Sequence, residues 1–93
     1  KYRTHLIDKG VSEELVGKII SKMGELNKEI EDDRLNLGPG YRIGHSFFTP
    51  SEKIANAEVW YKQIVNTEIH PLLEEYWFDT PEKADQWCGQ LLI

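Results

Sequence analysis

Apolar residues return every three or four positions between Val11 and Ile30, a spacing that predicts one long amphipathic helix. Leu15, Val16, Ile19, Ile20, Met23, Leu26 and Ile30 form its apolar stripe, while Glu14, Lys18, Lys22, Glu25 and Glu29 fill the other face. Ser12 is a suitable N-cap, and Glu13 and Glu14 complement the dipole of the first turn. Val11 and Val16 flank that cap with the spacing of a hydrophobic staple, so the helix is expected over residues 12–33. Residues 1–10 read as the end of an earlier element, weighted by Leu6 and Ile7 and stopped at Asp8-Lys9-Gly10.

A second periodic run comprises Ile54, Ala57, Trp60, Tyr61, Ile64 and Val65 and continues to Ile69. Its start is expected at Thr49-Pro50-Ser51-Glu52, which has capping residues followed by acid. Pro71 should break or restart the helix and leave residues 72–77 as a separate short turn. Thr80-Pro81-Glu82 opens a last helix over residues 81–91, which should bury Ala84, Trp87, Cys88 and Leu91. Residues 35–50 lack helical periodicity, with Tyr41-Arg42-Ile43 as a very short extended piece. The expected fold is therefore all-α: a small helical bundle with one Gly-rich non-helical loop, forming a single subdomain over residues 1–93.

Composition narrows what such a bundle can do. A length of 93 residues, 40% hydrophobic and with three tryptophans, suits one small folded core. A net charge of −5 argues against a broad basic face for nucleic acid. One cysteine, Cys88, excludes an internal disulfide, and the scattered His5, His45 and His70 show no metal-ligand spacing. A reducing, cytoplasmic compartment fits this cysteine usage. No apolar run is long enough to span a bilayer, and the opening at Lys1 rather than methionine points to a piece of a longer product. There is no GxxxxGK[ST] phosphate loop, no acidic cluster ending a hydrophobic strand and no Gly-x-Ser-x-Gly turn, so no catalytic residue is expected here.

The chemistry concentrates in Leu37-Gly38-Pro39-Gly40-Tyr41-Arg42-Ile43-Gly44-His45-Ser46-Phe47-Phe48. Gly38, Gly40 and Gly44 are expected to shape this loop, and Arg42, His45 and Ser46 to meet a phosphate-bearing ligand or a neighbouring protein surface. Arginine carries a permanently charged fork suited to phosphate oxygens. The plainer alternative has His45 stapling its own loop, Ser46 bonding local backbone, and Arg42 solvated against the Tyr41 ring. Glu68, His70, Glu74 and Glu75 could form an acid–base cluster, but Pro71 interrupts them and a solvated face beside Leu72 and Leu73 is the better reading. Cys88, at helical spacing from Ala84 and Leu91, reads as a small buried hydrophobe rather than a nucleophile.

Together with Glu68-Ile69-His70-Pro71-Leu72-Leu73-Glu74-Glu75-Tyr76-Trp77-Phe78-Asp79, the loop resembles the C-terminal end of McrB-type proteins. These are the AAA+ nucleotide-hydrolysing subunits of restriction systems that cut modified-cytosine DNA. The family pattern has Leu-Gly, an aromatic, then Ile-Gly-His-Ser-aromatic-Phe, and later Glu-Ile, Pro-Leu-Leu and Glu-Tyr with an aromatic and Asp. Both blocks are present in order, and the resemblance covers residues 11–79. Asp79-Thr80 departs from the pair of acids common in relatives.

The resemblance implies a C-terminal α-helical lid fragment of a larger AAA+ protein. GTP and magnesium would be held in the parent complex, with GTP between the α/β core of the same chain and the lid; ATP stays open for the parent. Implied partners are that core, neighbouring subunits in a ring and a separate McrC-type nuclease, with DNA contacted through other domains of the parent. A reading from another class keeps the helices and drops the nucleotide: a stand-alone protein-interaction module whose loop and exposed rings dock a partner.

Overall fold

A computed structural model describes residues 2–33, 35 and 37–92. Among these, five α-helices and no strand are found: α1 (Tyr2–Asp8), α2 (Glu13–Asp32), α3 (Ala57–Ile64), α4 (His70–Tyr76) and α5 (Pro81–Leu92). Two 3₁₀ turns, Pro39–Tyr41 and His45–Phe48, shape the loop after α2, and a π-helical turn, Val65–Ile69, joins α3 to α4. The molecule measures 39 × 22 × 20 Å. Its long axis is set by α2, since a helix of 20 residues runs about 30 Å.

The α1–α2 corner follows from local chemistry. Val11 N–H donates to the Leu6 carbonyl (3.0 Å) and Gly10 N–H to that of Ile7 (3.1 Å), the paired bonds of a Schellman stop. Gly10 has φ 101°, and a Cβ there would lie 2.9 Å from the Ile54 carbonyl oxygen, so both conformation and close approach require glycine. Ser12 Oγ accepts from Leu15 N–H at 3.2 Å, as a cap should, and Val11 and Val16 are both buried. The stripe of α2 faces the core except at Ile20, which remains 39% exposed.

The second helix starts later than its capping residues suggest. Asn56 is the N-cap, its side chain accepting from Val59 N–H at 3.2 Å, and Ser51 and Glu52 lie outside the helix. Tertiary bonds hold the preceding segment elsewhere: Ile54 N–H donates to the Lys9 carbonyl (2.8 Å) and His5 Nε2 to the Pro50 carbonyl (2.8 Å). Pro71 likewise does not isolate a separate turn. The chain widens into the π turn, where His70 N–H reaches back five residues to the Val65 carbonyl, and α4 follows with Pro71 in its first turn. The wider turn lets the helical path continue past a residue that has no N–H to donate.

Two polar contacts fix the bundle. Trp77, buried at the end of α4, donates its indole N–H to Asp33 Oδ2 at 2.7 Å. Lys83 of α5 lies 2.7 Å from Glu29 Oε2 and 3.8 Å from Asp33 Oδ2, with its ammonium 4.7 Å from the centre of the Trp77 indole. Three helices thus meet at two carboxylates, one cation and one ring. The other contact is Asn27, 8% exposed on α2, which donates to the Ile43 carbonyl (2.9 Å) and accepts from Ile43 N–H (2.6 Å). The expected extended piece at 41–43 is shorter than that: Tyr41 belongs to the first 3₁₀ turn, and Ile43 alone pairs with a side-chain amide, with no partner strand among the described residues.

Trp87, expected in the core, is only half-buried, whereas Ala84, Cys88 and Leu91 of α5 are buried. Tyr61 sits in the core and donates its hydroxyl to the Leu91 carbonyl at 2.6 Å. Burial first, and the Glu58 charge second, push its pKa from 10 to about 12.

Asn27→Leu should cost about 3 kcal/mol in chemical denaturation, because both Ile43 backbone groups lose their partners in a largely buried site. Tyr61→Phe should cost about 1 kcal/mol at neutral pH through the orphaned Leu91 carbonyl. Above pH 10 the unfolded chain ionises this tyrosine while the folded chain, titrating near 12, holds its proton. Wild-type stability should therefore fall between pH 10 and 12. Thermal melts should show a shallower fall in the Phe variant.

Candidate functional site

The loop after α2 is held at both ends and at its middle. Leu37 N–H donates to the Asp33 carbonyl (2.7 Å), and Gly38 turns the chain with φ 138°, a value that favours glycine. Gly40 and Gly44 have no positive φ, and a Cβ at either would meet nothing within 4 Å, so shaping by glycine is confined to Gly38. Tyr41 N–H bonds the Gly38 carbonyl at 3.0 Å, closing the first 3₁₀ turn. Ile43 then enters the core and meets Asn27.

Phe48, 1% exposed, is the second plug, with its ring centre 5.5 Å from Tyr61 and 6.1 Å from Trp60. Tyr2 of α1 donates its hydroxyl to the Phe48 carbonyl at 2.7 Å, and Thr49 Oγ1 donates to that of His45 at 2.6 Å. Burial, partly offset by the Thr49 hydroxyl, pushes the Tyr2 pKa up to about 12 and keeps it a neutral donor.

Between the two plugs the chain is exposed from Gly44 to Ser46. The His45 imidazole stacks on the Tyr2 ring at 4.2 Å and 13°, which fixes its plane. Arg42 extends over α2 and pairs through Nε with Glu31 Oε2 at 2.8 Å, the arginine side chain remaining 60% exposed. Glu31 is one helical turn beyond Asn27, so the same stretch of α2 anchors the loop and orients its cation. Arg42, Ile43, Gly44, His45 and Asn27 line a shallow cleft of about 280 Å³. Arg42 and His45 are thus brought together; Ser46 is exposed but outside that lining.

This arrangement can receive an anion. The cleft offers a permanent cation and an imidazole, and the carboxylate at its edge already pairs with Arg42. An exposed pair of this kind contributes about 0–1 kcal/mol, so an incoming phosphate can compete for the guanidinium at small cost. Asn27, Glu31 and Tyr2 were not evident as site residues from the pattern of the chain. Asn27 alone left a signal: an amide standing on the apolar stripe four residues after Met23 and three before Ile30.

Away from the loop, His70 Nε2 lies 2.9 Å from Asp85 Oδ1 and 3.8 Å from Glu74 Oε2. One atom from each residue falls within 4.8 Å of the others, a clustering that sequence spacing did not reveal because Asp85 comes from α5. Glu68 and Glu75 are exposed and outside this group. Nearby Cys88 is buried; burial, then Asp85 and Glu74, push its thiol up to about 11, which disfavours the reactive thiolate.

The model of the family described as "McrB, alpha-helical lid domain" matches residues 18–85, well over half the chain. Across 94 aligned positions covering 99% of this chain, 40% are identical to the type IV methyl-directed restriction enzyme EcoKMcrB subunit of Escherichia coli (strain K12). The chain spans only 20% of that relative's length. Both matches include the anchored loop, and the all-helical bundle agrees with the family's description: the chain belongs to the McrB alpha-helical lid domain family.

Proposed function

We propose that this domain is the lid of a McrB-like AAA+ GTPase subunit and closes over nucleotide bound between it and the α/β core of the same chain. The observation that carries the reading is that Arg42, paired with Glu31, and His45, stacked on Tyr2, line one open cleft above α2. A lid must present its ligand-facing groups in one geometry each time it closes, and a loop pinned by Ile43 and Phe48 meets that need.

The donors of the cleft suit phosphate rather than a metal ion. Magnesium prefers oxygen ligands, whereas the cleft contributes a guanidinium and an imidazole. Magnesium and the catalytic groups accordingly belong to the core, and the lid's part is mechanical: its orientation couples the bound nucleotide to neighbouring subunits. Arg42, His45 and Ser46 face either the nucleotide or the adjoining subunit. The parent would act in the cytoplasm in restriction of methylated DNA, reading DNA through other domains and delivering it to a McrC-type nuclease. The relative's description as a methyl-directed restriction enzyme supports this assignment.

Arg42→Ala or His45→Ala in the intact parent should lower GTP turnover or ring assembly roughly ten- to a hundredfold, the worth of one charge-assisted hydrogen bond. The lid's own melting temperature should stay unchanged, because both side chains are exposed. Wild-type turnover and assembly in both variants would refute the role of the loop. If the intact parent hydrolysed neither GTP nor ATP, with or without its nuclease partner, the interaction-module reading would replace the lid reading.

A further inference from the structure

A second cleft, of about 310 Å³, is lined by Leu37, Tyr41, Tyr76, Phe78 and Glu75 and shares no residue with the Arg42–His45 cleft. Tyr41 stands edge-on to Tyr76, with ring centres 5.4 Å apart and planes at 84°, so the two rings form adjacent walls of a box. Phe78 adds a third ring that is 79% exposed, and Tyr41 is 47% exposed. Large aromatic surface left in water beside a carboxylate marks a candidate contact site. Glu75 is close enough to Tyr76 to help hold its hydroxyl in the neutral form, after burial and the Tyr41 hydroxyl.

Three rings and one carboxylate recognise a cation. The fold already uses this chemistry once, placing the Lys83 ammonium over Trp77 and beside Glu29 and Asp33. The cation–ring contacts among the described residues go to Tyr61 and Trp77, none to the three rings of this box. A volume near the lower end for ligand sites suits a single side chain. A nucleotide base could also stack on the rings, but its phosphates would meet Glu75 and a chain of net charge −5.

We propose that this box binds the guanidinium of an arginine presented by a partner protein, stacked on the Tyr41, Tyr76 and Phe78 rings and paired with Glu75. A planar guanidinium satisfies both features at once, stacking by its face and bonding the carboxylate by its edge. The net negative charge of the domain favours a basic partner surface around that arginine.

The test is a titration of the 93-residue chain with the peptide acetyl-Gly-Arg-Gly-amide and with its neutral citrulline counterpart, following ring-proton NMR shifts. The arginine peptide should give saturable shifts confined to Tyr41, Tyr76 and Phe78, and the citrulline peptide should bind about fivefold more weakly. Glu75→Gln and Phe78→Ala, both at exposed positions, should weaken arginine binding by a similar factor without lowering the melting temperature. Equal binding of arginine and citrulline, or wild-type affinity in both variants, would overturn the proposal. Neither result depends on nucleotide turnover, so this inference and the lid reading fail separately.

Discussion

The amide of Asn27 does for the loop what a neighbouring strand would do in a sheet. It supplies one donor and one acceptor to the two backbone groups of Ile43, in a largely buried site at the floor of the cleft. An extended segment crossing a helical bundle has no ladder to satisfy its N–H and C=O groups, and leaving them unpaired would cost more than the bonds return. With that pair in place the Ile43 side chain can enter the core. Arg42 then emerges beside Glu31, and Gly44 leads His45 onto the Tyr2 ring. The geometry of the Arg42–His45 cleft is thus set on α2, one turn apart in sequence, by Asn27 and Glu31.

The rest of the bundle depends on a second polar knot of similar logic. Trp77, Asp33 and Lys83 close α2, α4 and α5 around one buried ring, with the lysine spanning Glu29 and Asp33. The π turn before Pro71 carries the helical path into α4, whose end delivers Trp77 to Asp33. The residues after Trp77 turn outward, so Phe78 is exposed although its neighbour is buried. The end of α4 therefore serves both the internal lock, through Trp77, and the outward aromatic box, through Tyr76 and Phe78.

Much of this architecture was legible in the chain. The bounds of α2, its Ser12 cap and the stop at Gly10 follow from local chemistry that tertiary contacts did not override. The start of α3 was not legible, because bonds from His5 and Lys9 hold Pro50 and Ile54 out of helix although their neighbours look like caps. The path past Pro71 was missed for a related reason: residue type marks the absent donor, but the remedy, a wider turn, is not written in any one residue. In the loop, the prominence of Arg42 and His45 was visible from composition and family resemblance. Their partners Glu31 and Tyr2 were not, since each lies on a helix distant in sequence and looks like an ordinary surface residue. Of the glycines, only Gly10 and Gly38 have a positive φ that residue identity alone could have hinted at.

The loop is held in place by bonds and burial within the bundle itself, so its backbone does not need to be ordered by a ligand. On the proposed lid reading, fixing the loop backbone around Arg42 and His45 in advance would remove an entropic cost from each closure and leave lid orientation, rather than loop folding, as the variable that nucleotide controls. The most direct measurement is native-state hydrogen exchange at the Ile43 amide. If Asn27 clamps the loop as described, this amide should exchange as slowly as the core amides of α2, through global unfolding alone. Exchange at the rate of an open loop, while α2 stays protected, would contradict the account.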